Sequence, residues 1–157
     1  MALYKIPYGK SEQTVELPEE HVAQVLLPPA TGKTQSIEAL MAKALASPIG
    51  TPTLDKIITA GDTVVIVVSD ITRTWARFDL FVPILVNELN RLGVPDQDIS
   101  IIIATGKHRL NTEQEKEEIL GSELYHRVKV YDHDPATEAC CYLGTTGRGT
   151  PAWINKR

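Results

Sequence analysis

The chain is poor in the features that mark several protein classes. Its 157 residues hold only two cysteines, Cys140 and Cys141, adjacent in sequence. Neighbours in a strand point to opposite faces, which makes them a poor disulfide pair and a poor metal clamp. They read as two small apolar side chains in a reducing, cytoplasmic setting. There is no basic excess: the formal charge is −4. That argues against nucleic acid as a partner, although a local anion site needs only one or two cations and some backbone N–H groups. No apolar run is long enough to cross a bilayer, so no membrane partner is expected. The first eight residues, Met-Ala-Leu-Tyr-Lys-Ile-Pro-Tyr, lack the apolar core of a signal peptide. Internal repeats and low-complexity segments are also missing. What is present is an ordinary globular composition, 43% apolar and 23% charged, in a length that suits a single domain over 1–157.

The first thirty residues read as short β segments. Leu3 to Tyr8 and Thr14 to Leu17 flank a turn at Gly9-Lys10 and predict a hairpin, with Val22 to Leu27 as a third strand. Ser36 to Ala46 carries alanine and leucine at helical spacing, with Thr34 or Ser36 as N-cap. Leu54 to Ile58 predicts a short helical turn. The pattern then changes. Thr63 to Val68 (TVVIVV) is a continuous β-branched run, as expected of a strand buried on both faces. Phe78 to Leu92 is an amphipathic helix ended by Gly93, with Pro83 placed near its first turn. Ile99 to Ala104 is a second buried run. Thr112 to Leu120 is a charged helix with Thr112 as N-cap and Glu115 at the capping-box position. Val128 to Tyr131 is a third strand, and Ala139 to Leu143 and Pro151 to Ile154 are two more. Strand, helix, strand, helix, strand makes an α/β fold: a mostly parallel sheet of βαβ units with flanking helices and a small β-rich N-terminal piece.

Ligands of open α/β sheets bind beyond the carboxyl ends of the strands. Here each core strand ends in a polar cluster: Ser69-Asp70-Ile71-Thr72-Arg73, Thr105-Gly106-Lys107-His108-Arg109 and Asp132-His133-Asp134. Parallel strands bring those ends to one edge. The plain alternative is that loops are polar anyway. Asp70 either caps the following helix, orients Arg73 or receives a ligand hydroxyl. Arg73 has the planar fork that suits carboxylate or phosphate. His108 follows Gly106, which lets backbone approach a ligand, and imidazole suits general-base work near neutral pH. His133 is either a ligand or a turn residue. Two other patterns carry less. Thr31-Gly32-Lys33-Thr34 looks like the end of a P-loop, but Leu27 stands where its first glycine belongs. Gly144 to Gly149 is glycine-rich but opens no helix, and reads as a turn.

VVIVVSDITR (Val64 to Arg73) and IIIATGKHR (Ile101 to Arg109) resemble the two hallmark segments of the lactate racemase N-terminal domain. The order continues with Glu113, Leu120-Gly121, His133-Asp134, and Leu143-Gly144-Thr145 leading to Gly149-Thr150-Pro151. The likeness runs from about Ala39 to Asn155. It implies an isomerase, a nickel-dependent racemase or epimerase of α-hydroxy acids whose cofactor is a nickel-pincer nucleotide. By the same resemblance His108 is one of two catalytic bases. Arg73 holds substrate carboxylate or cofactor phosphate, with Asp70, Thr72 and Arg109 as further substrate- or cofactor-binding groups. Ser69, Lys107 and His133 stand behind them, and no metal ligand falls in this stretch. Thr74 and Lys107 depart from the usual proline and threonine, which leaves room for a different substrate. The family's second histidine, nickel-binding histidine and cofactor-attaching lysine lie downstream, in a C-terminal part this chain does not include. The resemblance therefore implies an inactive half-site on its own, one that does not retain the cofactor. The other reading is a non-catalytic module that binds a nucleotide or anion.

Overall fold

A computed structural model describes residues 1–28, 35–134, 136 and 139–156. The candidate P-loop end, Thr31 to Thr34, and the alternative cap Thr34 lie outside the described residues. The chain divides into two compact units, 1–34 and 35–157.

The first unit is the expected hairpin. Strands β1 (Ala2–Tyr8) and β2 (Ser11–Leu17) pair antiparallel from Ala2↔Leu17 to Tyr8↔Ser11. That register leaves a two-residue turn, and Gly9 supplies its positive φ of 59°. Residues 22–27 are not a third strand. Val22, Val25 and Leu26 instead line a groove with Tyr4 and Val15, ahead of Pro28, which has no N–H for a ladder.

The second unit has three parallel strands in the order β3-β4-β5: Val64–Ser69, Ile99–Ala104 and Lys129–Asp132. Helices α1 (Ile37–Ala46) and α2 (Leu54–Ile57) precede the sheet. Helix α3 (Phe78–Arg91) connects β3 to β4, and α4 (Glu113–Leu120) with α5 (Ser122–Arg127) connects β4 to β5. Ser36 caps α1, accepting from the Ala39 amide. Pro83 sits in the second turn of α3, not the first. Strands β6 (Cys140–Thr145) and β7 (Pro151–Asn155) form a separate antiparallel pair. The glycine-rich stretch is their connecting turn, closed by Gly149 N–H to Thr146 O and Thr146 N–H to Thr150 O.

The core lies on one face of the parallel sheet. Val82, Val86 and Leu89 of α3 meet Val68 of β3 and Ile99, Ile101 and Ile103 of β4, with Ile119, Leu120 and Leu124 from the next two helices. The other face of β3 departs from the expected two-sided burial. Val65 is 55% exposed and Val67 65%. Alternate residues of a strand face opposite ways, so α3 covers only the Ile66 and Val68 side. A continuous apolar run shows that a strand can be covered twice, not that it is.

The capping box of α4 forms as expected. The Glu115 amide donates to Thr112 Oγ1, and the Thr112 amide donates to the Glu115 carboxylate at 2.8 Å. Thr112→Ala is expected to destabilise the chain by about 0.5–2 kcal/mol in urea unfolding, because it removes one acceptor from the first turn. An unchanged midpoint would show that the cap contributes nothing.

Candidate active site

The parallel pairing carries the ends of all three strands to one edge. There the chain turns into two loops that build a single cavity of about 270 Å³. After β3, residues Ile71–Ala76 coil into 3-10 turns with Asp70 as their N-cap. Asp70 Oδ1 accepts from the Thr72 amide at 3.2 Å and from the Thr72 hydroxyl at 2.6 Å. After β4, the His108 amide donates to Thr105 O at 2.9 Å. Gly106 takes a φ of +60° inside that turn, which an L side chain resists, and so the loop doubles back toward β3.

The result is a dyad. His108 Nδ1 lies 2.5 Å from Asp70 Oδ2. The Asp70 side chain is only 5% exposed, whereas that of His108 is 59% exposed. Burial pushes the Asp70 carboxyl up, but the hydrogen bonds from Thr72 and His108 outweigh it and hold the group below its ordinary 3.8. The carboxylate is therefore ionised across the neutral range and can only accept. A neutral His108 must then donate from Nδ1, which leaves the lone pair on Nε2. A buried anion fixes the ring, and the exposed nitrogen is the basic one.

Arg73 and Lys107 line the same cavity, with Ser69, Thr72 and Gly106. Among the described residues neither cation has an ion-pair partner. Several other cations of the unit are already paired with carboxylates. Arg109 is one of them: its guanidinium donates to both oxygens of Glu115 at 2.7 and 2.6 Å and to Leu110 O. Arg109, with the Thr112 amide, holds the Glu115 carboxyl down to about 2. Arg109 does not line the cavity, and neither does His133. The His133 main chain continues the β5 ladder, donating to Ile103 O and accepting from Thr105 Oγ1 at 2.7 Å. A larger cavity of 330 Å³ lies among α1, α2 and α3, but its charged lining includes the Glu88–Arg91 pair, closed at 2.7 Å.

Asn111 and Lys116, which sequence reading does not pick out, join Asp132 of the third polar cluster in holding the loops together. Asn111 is buried, the Asp132 side chain beside it is 7% exposed, and Lys116 reaches Asp132 at 3.5 Å. For Asn111 the sequence signal is its place next to a capping box, and for Asp132 its place at the end of a core strand.

Residues 8–157 match the lactate racemase N-terminal domain family. The chain belongs to that family. The match takes in most of the hairpin and so extends further than the likeness from about Ala39. The chain is 34% identical over 160 residues to a lactate racemase of Thermoanaerobacterium thermosaccharolyticum, covering 99% of this chain and 37% of that protein. It is 27% identical to a lactate racemase of Lactiplantibacillus plantarum, again over 99% and 37%. The structure of the lactate racemase apoprotein from the Thermoanaerobacterium superposes with a TM-score of 0.77 at 32% identity, covering 99% of this chain and 36% of that one. The chain thus spans little more than a third of the length of these racemases. Among the described residues no helix is long and apolar enough to cross a membrane.

The depressed Asp70 carboxyl has a pH consequence for this domain. A group whose folded value lies below 3.8 stabilises the fold fully above the ordinary carboxylate range. That contribution is lost as pH falls through the depressed value. Asp70→Asn should therefore cost stability at neutral pH, and the gap to wild type should narrow by about pH 3. Urea unfolding of both proteins at the two pH values measures it. A gap that stays constant would contradict the ionised, hydrogen-bonded carboxylate.

Proposed function

We propose that this chain is the N-terminal half-site of a 2-hydroxy-acid racemase or epimerase, with His108 as a general base and Arg73 as the anion holder. The observation that carries the reading is the 2.5 Å contact between His108 Nδ1 and the buried Asp70 carboxylate. A module that only bound anions would gain nothing from a buried carboxylate beside its cations. A base gains from it, because Asp70 fixes the ring and stabilises the imidazolium that forms.

Removing a hydride from the substrate carbon requires loss of the hydroxyl proton. His108 Nε2 takes that proton. Arg73 offers two parallel N–H donors to the substrate carboxylate or to a nucleotide phosphate, and Lys107 lines the same cavity. These groups fit the anionic parts of a hydroxy acid and of a nickel-pincer nucleotide. When bound, that nucleotide supplies the hydride acceptor. Among the described residues no three His, Cys, Asp or Glu side chains gather to hold a metal ion, so no residue here is assigned as a nickel ligand. Those ligands, a second base and the cofactor-attaching lysine belong, in this proposal, to the C-terminal part of a longer protein.

The test is racemisation by the full-length protein that carries this chain, loaded with the nucleotide and given L-lactate or another enantiopure 2-hydroxy acid. Chiral chromatography should show drift toward the equal mixture. No drift for any such acid, with nucleotide occupancy verified, would overturn the proposal. Arg73→Lys in the same protein should raise KM about tenfold or lower nucleotide occupancy, because an ammonium cannot make the paired planar contact.

A further inference from the structure

Asn111 stands at the junction of the three loops. Its side-chain Oδ1 accepts from the Ile71 amide at 3.2 Å. Its Nδ2 donates to Asp132 Oδ1 at 2.6 Å, and its own amide donates to Asp132 Oδ2 at 3.1 Å. One side chain thus joins the loop after β3, the loop after β4 and the last residue of β5. Asn111 is 7% exposed. Its Asp132 partner is steadied in turn by Lys116, which also bonds Glu113 at 2.8 Å. Ile71 is the residue after Asp70, and its amide is the first the 3-10 turns present. Asp70 caps only the next amide, Thr72, so Ile71 N–H depends on Asn111 for its acceptor.

We infer that Asn111 is a positioning residue: it anchors the peptide that follows Asp70 and so keeps the Asp70 carboxylate against His108 Nδ1. The inference rests on the dyad described above, but it concerns what holds the dyad and not which substrate is turned over. The physical case is one of count. Asp70 is attached to its surroundings by Thr72, two residues along the same loop, and by His108 on the other loop. Neither fixes one loop relative to the other, since the first is local and the second is the contact to be set. Asn111 bridges the loops independently of the dyad, through a side chain that is largely buried. Replacing it with alanine orphans the Ile71 N–H and removes the side-chain bond to Asp132 at once, and among the described residues the dyad is then the one hydrogen bond left between the β3 loop and the β4 loop.

The readout is the tautomer of His108, taken from its ring 15N shifts in the 157-residue chain above its titration range. Wild type should show the Nδ1–H form that Asp70 imposes. Asn111→Ala should move the shifts toward the mixture of free histidine. Asn90→Ala is the control. Asn90 is likewise tied to Val94 O and Asp96 and to Arg127, but at the opposite end of the sheet. It should lose stability and leave the His108 shifts in place. Should Asn111→Ala fail to fold, native-state hydrogen exchange in wild type decides: the Ile71 amide should exchange at least tenfold more slowly than the exposed-loop amides of residues 107 and 109. A wild-type tautomer in folded Asn111→Ala, or an Ile71 amide that exchanges as fast as those two, overturns the inference. Neither result depends on whether the full-length protein racemises anything.

Discussion

His108→Ala is expected to lower kcat of the full-length, cofactor-loaded protein by about a hundredfold or more, with nucleotide occupancy unchanged. The size reflects the role. The hydroxyl of a 2-hydroxy acid holds its proton tightly in water, and hydride cannot leave the carbon until that proton has a destination. In the proposed role His108 would offer one at Nε2, on a ring whose side chain is more than half exposed and which Asp70 holds at Nδ1. Alanine removes the destination and leaves the cavity's cations in place. KM should therefore change little while kcat falls, the pattern of a group that acts in the transition state and not in binding. Initial rates across substrate concentration, with bound nickel measured on the same samples, separate the two. A variant with near wild-type kcat would mean that the proton leaves by another route and that the dyad is only a loop contact.

Much of this site is legible in the sequence, for a reason that is itself physical. Runs such as Val64 to Val68 and Ile99 to Ile103 specify parallel strands, and parallel strands deliver their C-terminal loops to a single edge of the sheet. The polar clusters after β3 and β4 therefore had to meet, and Ser69, Asp70, Thr72, Arg73, Lys107 and His108 do share one cavity. The capping box at Thr112 and Glu115 was equally visible, because it is a local rule. What stayed hidden is partner choice over distance. Arg109 sits beside His108 in sequence yet is committed to Glu115, six residues on, and nothing in the spacing separates it from Arg73, which is not. His133 follows β5 as His108 follows β4, but its main chain is absorbed by the ladder. The Asn111–Asp132 link spans 21 residues, and neither the capping box beside Asn111 nor the polar cluster at Asp132 says that the two side chains pair. The helix α5 was missed because Ser122 to Arg127 is too short for a 3.6-residue period to declare itself. The open side of β3 was misread because β-branched composition reports how a strand prefers to be packed, whereas coverage depends on where the helices lie.

Asp70→Asn is expected to reduce turnover on the order of a hundredfold to ten-thousandfold, as far as removal of the imidazole does, although the side chain keeps its size and most of its hydrogen bonds. The geometry decides which way the new amide must face. Thr72 presents two donors, its amide and its hydroxyl, to the position of Oδ1. The amide oxygen has to take that position, since an NH2 group there would face two donors at 3.2 and 2.6 Å. The NH2 group then stands at the position of Oδ2, 2.5 Å from His108 Nδ1. It can only donate, so Nδ1 must accept, and the ring proton moves to Nε2. The nitrogen that should take the substrate's proton now carries one of its own. The same exchange next to a catalytic histidine in the serine proteases leaves the fold intact and drops kcat about ten-thousandfold, for this reason. Two measurements on the variant belong together. Ring 15N shifts of His108 should show the Nε2–H tautomer, and kcat should fall with KM for the hydroxy acid nearly unchanged, because Arg73 is untouched. Asp70→Asn with the flipped tautomer and full activity would remove His108 from the chemistry. Full activity with the tautomer unflipped would instead locate the error in how Thr72 orients the side chain.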